Sequence, residues 1–60
     1  MMNVEVGDTV VYTATDGGER TVKITEIDEK NGMPVFSGDL IGSPGRYVWG
    51  YFHQIDYFVL

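Results

Sequence analysis

The single histidine, His53, is the first candidate for chemistry, because an imidazole can exchange a proton near neutral pH. Catalysis by histidine requires a nucleophile to activate or a carboxylate that orients the ring. Asp56 lies three residues further along and is close enough in sequence to orient it. The chain has no cysteine and no serine motif. We therefore interpret His53 as a polar residue of a short turn, and we predict no catalytic residues and no enzyme activity.

An acidic stretch over residues 28–32 (Asp-Glu-Lys-Asn-Gly) is superficially similar to a calcium-binding loop. When Gly32 is aligned with the glycine of such a loop, Ile27 falls at the first position, where an oxygen ligand is required. The comparison therefore fails. Thiolate sites are excluded because the chain has no cysteine. We predict no metal and no cofactor, with the acidic residues at solvated hairpin tips.

Residues 42–46 (Gly-Ser-Pro-Gly-Arg) combine glycines with the positive charge of Arg46, which is a composition that favours anion binding. Pro44, however, has no N–H to donate, and the lysine of a nucleotide-binding loop is missing. Proline at the second position and glycine at the third are typical of a type II turn. We therefore predict a tight turn over residues 43–46.

The largest group of residues with binding potential is aromatic. Residues 31–60 hold seven of the eight aromatic residues, whereas residues 1–30 hold ten of the thirteen charges. A chain of 60 residues cannot bury so many rings completely, and exposed Tyr and Trp side chains anchor interfaces. We predict that Phe52 and Trp49 lie in the core. The predicted partner-binding residues are Tyr47, Tyr51, Tyr57 and Arg46.

The composition limits the classes of partner. Nine acidic and four basic residues give a formal net charge of −5, which opposes binding to nucleic-acid phosphates and to anionic membranes. The first residues lack the pattern of a signal peptide, and no apolar run approaches the ~20 residues of a membrane span. We expect one domain over residues 1–60 in the cytoplasm, with neither nucleic acid nor a membrane as partner.

The elements that position these residues are predicted to be β-strands. Turn-forming residues recur at intervals of about 8–14 residues, which is typical of a small all-β domain. No stretch has the apolar spacing of a helix. The five predicted strands cover residues 9–15, 20–28, 34–41, 46–50 and 56–60. In the first strand, Val10, Tyr12 and Ala14 share one face.

Two of these strands depart from simple alternation. Val22 and Ile24 alternate in the second strand, but Ile27 is out of phase, which indicates a bulge or sharp bend near residues 25–26. In the third strand two pairs compete for the interior, either Phe36 with Leu40 or Val35 with Ile41.

Five short strands with a kinked second one are the plan of an SH3-like barrel. Residues 48–60 (Val-Trp-Gly-Tyr-Phe-His-Gln-Ile-Asp-Tyr-Phe-Val-Leu) resemble the end of SH3 domains. There a strand reaches a Gly-x-Phe step, makes one 3₁₀ turn and leaves in a final strand that pairs with the first. Gly50 and Phe52 match this step, whereas His53 stands where proline is usual. Residues 4–12 resemble the opening of SH3-like and KOW-type barrels, in which Val-Gly-Asp leads into the first long strand. The resemblance implies an all-β, small five-stranded SH3-like barrel with a short 3₁₀ turn before the last strand.

The functional residues of these families are not matched. The Ala-Leu-Tyr-Asp-Tyr segment, the acidic RT loop and the tryptophan that opens the third strand of eukaryotic SH3 domains do not occur in order. Trp49 lies late, directly before Gly50, so the resemblance does not imply a groove for proline-rich peptides. KOW modules usually carry basic turns for RNA, whereas this chain is acidic. Short chains of this style resemble accessory proteins of bacteriophages and other mobile elements.

Three functions follow as hypotheses. The leading one is a non-enzymatic protein-interaction module, a phage or mobile-element accessory protein that binds a host or phage protein through an aromatic patch. The alternative is an acidic nucleic-acid mimic that inhibits a DNA- or RNA-binding protein, since carboxylates on a rigid sheet imitate phosphates. The third is a single-stranded nucleic-acid binder that stacks bases on its rings, which the net charge opposes.

The predicted last strand also bears on self-association. If it pairs with the N-terminal strand, only alternate residues are buried. Either Phe58 with Leu60 or Tyr57 with Val59 then faces outward. We predict a weak homodimer, or a contact with another protein, through that outer face.

Overall fold

The computed structural model describes residues 3–60, which form five β-strands in one antiparallel sheet. The strands are β1 (Thr9–Thr13), β2 (Glu19–Lys30), β3 (Met33–Leu40), β4 (Tyr47–Tyr51) and β5 (Ile55–Val59). A 3₁₀ turn (Phe52–Gln54) joins β4 to β5. The strand order is β4-β3-β2-β1-β5, so β4 and β5 are the edge strands. The all-β class and the 3₁₀ turn before the last strand are confirmed. No helix among residues 3–60 is long and apolar enough to cross a membrane.

The long strand β2 contains the predicted bulge. Its register with β3 pairs Ile24 with Gly38 and Glu26 with Ser37, which leaves Thr25 as the extra residue. An extra residue increases the local twist and bends the strand. Before the bulge β2 pairs with both β1 and β3, and after it only with β3. The phase shift at Ile27 was therefore a correct signal.

The core lies on one face of the bent sheet. Its buried residues are Val4, Val10, Tyr12, Ala14, Val22, Ile24, Phe36 and Ile55. The rings of Tyr12 and Phe36 meet edge to face, with their centroids 5.0 Å apart. Phe36 is fully buried, whereas Ile41 is 52% exposed, so β3 takes the first of its two predicted phases.

The turns follow their local sequence. Gly45 has φ +83° and the Arg46 N–H donates to the Ser43 carbonyl at 3.1 Å, as expected of a type II turn. The first predicted strand ends at Thr13 rather than at residue 15. The reason is that the carbonyl of Ala14 already accepts a hydrogen bond from the Gly17 N–H at 2.9 Å, which closes the hairpin turn.

Candidate functional site

The outer face of β4 carries a row of rings. Tyr47, Trp49 and Tyr51 share this face because alternate residues of a strand point the same way. Tyr47 is 62% exposed, Trp49 is 49% exposed, and Tyr51 is half-buried. The ring centroids of Trp49 and Tyr51 lie 5.5 Å apart, and His53 stacks on Tyr51 at 5.4 Å. We call these four residues the aromatic row. Three of its rings, from Trp49 to His53, are in continuous contact.

The prediction that Trp49 lies in the core is wrong. The residues of β4 that face the core are Val48, which packs against it, and Gly50, where an added Cβ would lie 3.0 Å from the ring of Phe36. A glycine has no side chain, so the inward face of β4 shows no apolar residue at this position in the sequence. Phe52, the other predicted core residue, is half-buried and packs against the core.

Strand pairing brings charged residues beside the aromatic row. Across β3 and β2, the residues in line are Asp39 and Lys23 with Tyr47, Ser37 and Glu26 with Trp49, and Val35 and Asp28 with Tyr51. The Lys30 ammonium lies 4.3 Å from the centroid of the Trp49 ring, which is a cation–π contact. The charged half and the aromatic half of the sequence therefore share one surface.

The bulge also holds one of the rings. The hydroxyl of Thr25, the extra residue of β2, is hydrogen bonded to the hydroxyl of Tyr47. The Tyr47 ring starts on β4, and its hydroxyl reaches β2, so the side chain spans β3. Such a tether restricts the rotation of an otherwise exposed ring.

A groove of about 290 Å³ runs along the free edge of β4. The edge strand forms one wall, and Thr15 and Arg20 of the β1–β2 hairpin line the opposite side. The buried residues Tyr12 and Ala14 form the floor. This volume is near the lower end of ligand pockets, which span roughly 300–1,000 Å³.

The side chain of Gln54 closes one end of the groove, in the space between β4 and β1. Its Oε1 accepts a hydrogen bond from the Tyr51 N–H at 2.8 Å, and its Nε2 donates to the Thr13 carbonyl at 2.9 Å. One amide thus connects β4 to β1, which do not pair with each other. The groove is the part of the space between β4 and β1 that no strand fills within residues 3–60.

The charge on the far wall of the groove is balanced. The Nη2 of Arg20 lies 2.9 Å from the Oδ2 of Asp16. The Gly18 N–H, followed by the Arg20 guanidinium, holds the pKa of Asp16 below its ordinary value. Asp16 is therefore ionised at neutral pH and offsets the charge of Arg20.

The four predicted binding residues lie on two parts of the sheet. Tyr47 and Tyr51 lie on β4, and Arg46 is an exposed residue of the turn directly before it. Tyr57 lies on β5, the other edge strand, where it is 55% exposed and pairs with Val11. Strand pairing does not bring Tyr57 to the aromatic row.

The outer face of β5 is also settled by this pairing. Tyr57 and Val59 point outward and are 55% and 46% exposed, whereas Phe58 packs against the core. Self-association through this face stays a prediction.

Sequence reasoning missed Trp49 and His53 as members of the surface. The available signal was the strict alternation of Tyr47 and Trp49 around a residue that packs inward. Asp56 does not orient His53 by a hydrogen bond; its carboxylate accepts one from the Thr13 hydroxyl at 2.7 Å. Among residues 3–60, no group of three or more His, Cys, Asp or Glu side chains is arranged to hold a metal ion.

Comparison of the chain with protein-family models, with curated proteins and with solved structures finds no match. Function is therefore inferred from the geometry of residues 3–60.

Proposed function

We propose that this chain is a non-enzymatic protein-interaction module whose binding surface is the aromatic row of β4, with Arg46 at its start. The observation that carries the proposal is the pair Tyr47 and Trp49, two large rings exposed side by side on an edge strand. Tyr, Trp and Arg are the residues that most often dominate binding energy at protein interfaces.

The rings are also held before a partner arrives. Thr25 tethers Tyr47, Lys30 covers one side of Trp49, and Tyr51 packs between Trp49 and His53. Ordering a free side chain at an interface costs about 0.5–1.5 kcal/mol. Rings that are already ordered avoid much of this cost, which supports a docking role for them.

We further propose an SH3-like barrel as the architecture that presents this surface. The strand order β4-β3-β2-β1-β5, the bulge in β2 and the 3₁₀ turn before β5 support it. The Gln54 amide that links β4 to β1 supports closure of the sheet on itself. An origin as a phage or mobile-element accessory protein stays a prediction.

The distribution of charge favours this function over nucleic-acid mimicry. A mimic of phosphates needs carboxylates in an uninterrupted row. The outer face of β2 instead presents Glu26 and Asp28 between Lys23 and Lys30. Binding of single-stranded nucleic acid is disfavoured, because these carboxylates stand in line with the rings on which bases would stack.

The test compares the effect on binding of removing exposed rings from the two edge strands, β4 and β5. The tagged chain, a Tyr47→Ala/Trp49→Ala variant and a Tyr57→Ala control are used to capture proteins from a lysate of the source cell. Each change removes an exposed ring, and circular dichroism checks that each variant is folded. We expect a captured protein to be lost with the double variant and kept with Tyr57→Ala. The reverse pattern would move the binding surface to β5 and contradict the proposal.

The dependence of affinity on ionic strength distinguishes this proposal from nucleic-acid mimicry. Raising the ionic strength from 0.1 to 1 M shortens the Debye length from about 10 Å to about 3 Å. The contribution of the rings, measured as the ratio of the affinities of the wild type and of Tyr47→Ala/Trp49→Ala, is expected to survive this change. A steep fall in affinity that is the same for the wild type and for this variant would favour mimicry.

A further inference from the structure

We propose that the free edge of β4 binds an extended cationic peptide by antiparallel strand addition, with the peptide seated in the groove beside the aromatic row. This inference rests on the proposed function and names the chemistry of the partner.

The backbone of β4 supplies the first part of the argument. The Leu40 N–H donates to the Arg46 carbonyl at 3.0 Å, which fixes the alternation of hydrogen-bonded pairs between β3 and β4. Val48 and Gly50 therefore direct their backbone groups toward β3. Tyr47 and Trp49 direct theirs to the opposite side, where no strand pairs with β4 within residues 3–60.

Tyr51 shows that this outer side accepts hydrogen-bonding partners. Its backbone groups point the same way as those of Trp49, two residues before it, and its N–H donates to the Gln54 side chain. Trp49 and Tyr47 are the next two residues of β4 whose backbone groups point away from β3. They offer two N–H donors and two carbonyl acceptors to the groove. An antiparallel strand satisfies all four with two of its residues.

Register determines what the peptide side chains meet. The two peptide residues opposite Trp49 and Tyr47 place their side chains on the same face as these rings. The residue between them lies opposite Val48 and points toward the floor of the groove at Ala14 and Tyr12. A small apolar side chain suits the middle position, and ring-binding side chains suit the other two.

Charge selects lysine or arginine for the two outer positions. Lys30 shows that the Trp49 ring already accepts an ammonium group at 4.3 Å. Asp39 lies directly across from Tyr47, and Glu26 lies in line with Trp49. Neither carboxylate makes an ion pair within residues 3–60. The pairing of Arg20 with Asp16 keeps the far wall from repelling a cation.

A second copy of the chain fits this site less well than a basic peptide. Each copy has a net charge of −5, and edge-to-edge pairing of two β4 strands would bring two such surfaces together. A cationic peptide, by contrast, is attracted by this net negative charge.

The experiment is a fluorescence titration with N-acetylated, C-amidated Val-Lys-Val-Lys-Val as the probe. Trp49 is the sole tryptophan, so its emission reports directly on the proposed site. We expect a saturable change in emission. The same peptide with both lysines replaced by glutamate is expected to bind at least about tenfold more weakly, because it loses the cation–π contact with Trp49 and is repelled by Asp39 and by the net charge of −5. Equal affinity of the two peptides would overturn the cationic assignment.

Backbone methylation tests strand addition itself. N-methylation of both lysines removes the donors to the Tyr47 and Trp49 carbonyls, so we expect a loss of affinity of about tenfold or more. N-methylation of the central valine alters an N–H that points away from β4, and we expect a change of less than about twofold. Equal effects of the two methylations, or a larger effect at the valine, would overturn the proposed pairing.

Failure of this inference is distinguishable from failure of the proposed function. If the peptide gives no saturable change while Tyr47→Ala/Trp49→Ala still loses its captured protein, strand addition is wrong and the protein-binding surface stands. In the supporting outcome, amide hydrogen exchange of Tyr47 and Trp49 slows in the presence of the peptide. Dimers whose formation slows exchange at the same two amides in the absence of peptide would assign the edge to a second copy and overturn the proposal.

Discussion

Gly38 is the position at which one added methyl group is expected to do the most damage. A Cβ on Gly38 would lie 1.9 Å from the Lys23 carbonyl oxygen and 2.9 Å from the Ile24 Cα. Both are backbone atoms of β2, so no change of side-chain rotamer relieves the contact. The close approach occurs next to the bulge, where β2 bends over β3. Replacement by alanine must therefore push the two strands apart.

The size of the effect follows from this geometry. Ordinary contacts of a Cβ begin at 3.4 Å, so the strands must separate locally by about 1.5 Å. Hydrogen bonds with ordinary N···O distances of about 2.7–3.2 Å do not survive such a displacement. Loss of two of them costs about 2 kcal/mol, and disturbed packing of the buried Ile24 and Phe36 adds about 1–3 kcal/mol. A chain of this length has a free energy of unfolding of roughly 3–9 kcal/mol, so Gly38→Ala, with a total cost of about 3–5 kcal/mol, is expected to remove at least about a third of it.

Urea unfolding followed by Trp49 fluorescence measures this loss. The matched control is Gly18→Ala, because Gly18 does not adopt a left-handed φ and an added Cβ meets only the Asp16 carboxylate, at 3.2 Å. This side chain is exposed, and its adjustment weakens at most its hydrogen bond with the Gly18 N–H and its surface ion pair with Arg20, so we expect the control to cost less than about 1 kcal/mol. If Gly38→Ala destabilises the protein no more than Gly18→Ala does, the steric reasoning is wrong.

Three further predictions concern other parts of the structure. Gly50→Ala places a methyl group 3.0 Å from the buried Phe36 ring and should cost about 1–3 kcal/mol in urea unfolding, and an unchanged midpoint would refute this. Gln54→Ala should cost about 1–2 kcal/mol, and Gln54→Glu an intermediate amount, because a carboxylate still accepts a hydrogen bond but cannot donate one. The pKa of Asp16 is lowered by folding, so its charge contributes stability above about pH 4 that is lost as the pH falls through the folded-state pKa. Asp16→Asn should therefore be less stable than the wild type at pH 7, and the difference should shrink as the pH falls below about 4, as measured by thermal unfolding; a pH-independent difference would contradict this.

Several features of the fold were predictable because they depend on residues that are close in sequence. The alternation of Val10, Tyr12 and Ala14 identified the inward face of β1, and all three are buried. The misplaced Ile27 located the bulge, because one extra residue reverses which side chains face inward. The proline and glycine of residues 43–46 specified a type II turn through their own backbone preferences.

The sequence did not determine which face of β3 is buried. Phe36 and Val35 are both apolar, so the pattern permitted either face to be buried. Gly38 decides between them in the folded chain, since the bend of β2 brings backbone to within 1.9 Å of its missing Cβ. Sequence alone does not show which strand will approach a glycine, because the approaching residues lie on another strand.

The binding surface was also determined in part by the sequence and in part by the tertiary structure. From the sequence alone it followed that 60 residues with eight rings leave some of them exposed, because a core of this size cannot cover them all. Which rings stay exposed was decided by packing: Gly50 faces Phe36 and thereby turns Trp49 outward. The groove and the separation of Tyr57 from Tyr47 depend on strand order, and strand order arises from hydrogen bonds between residues far apart in the chain, which no local pattern of side chains encodes.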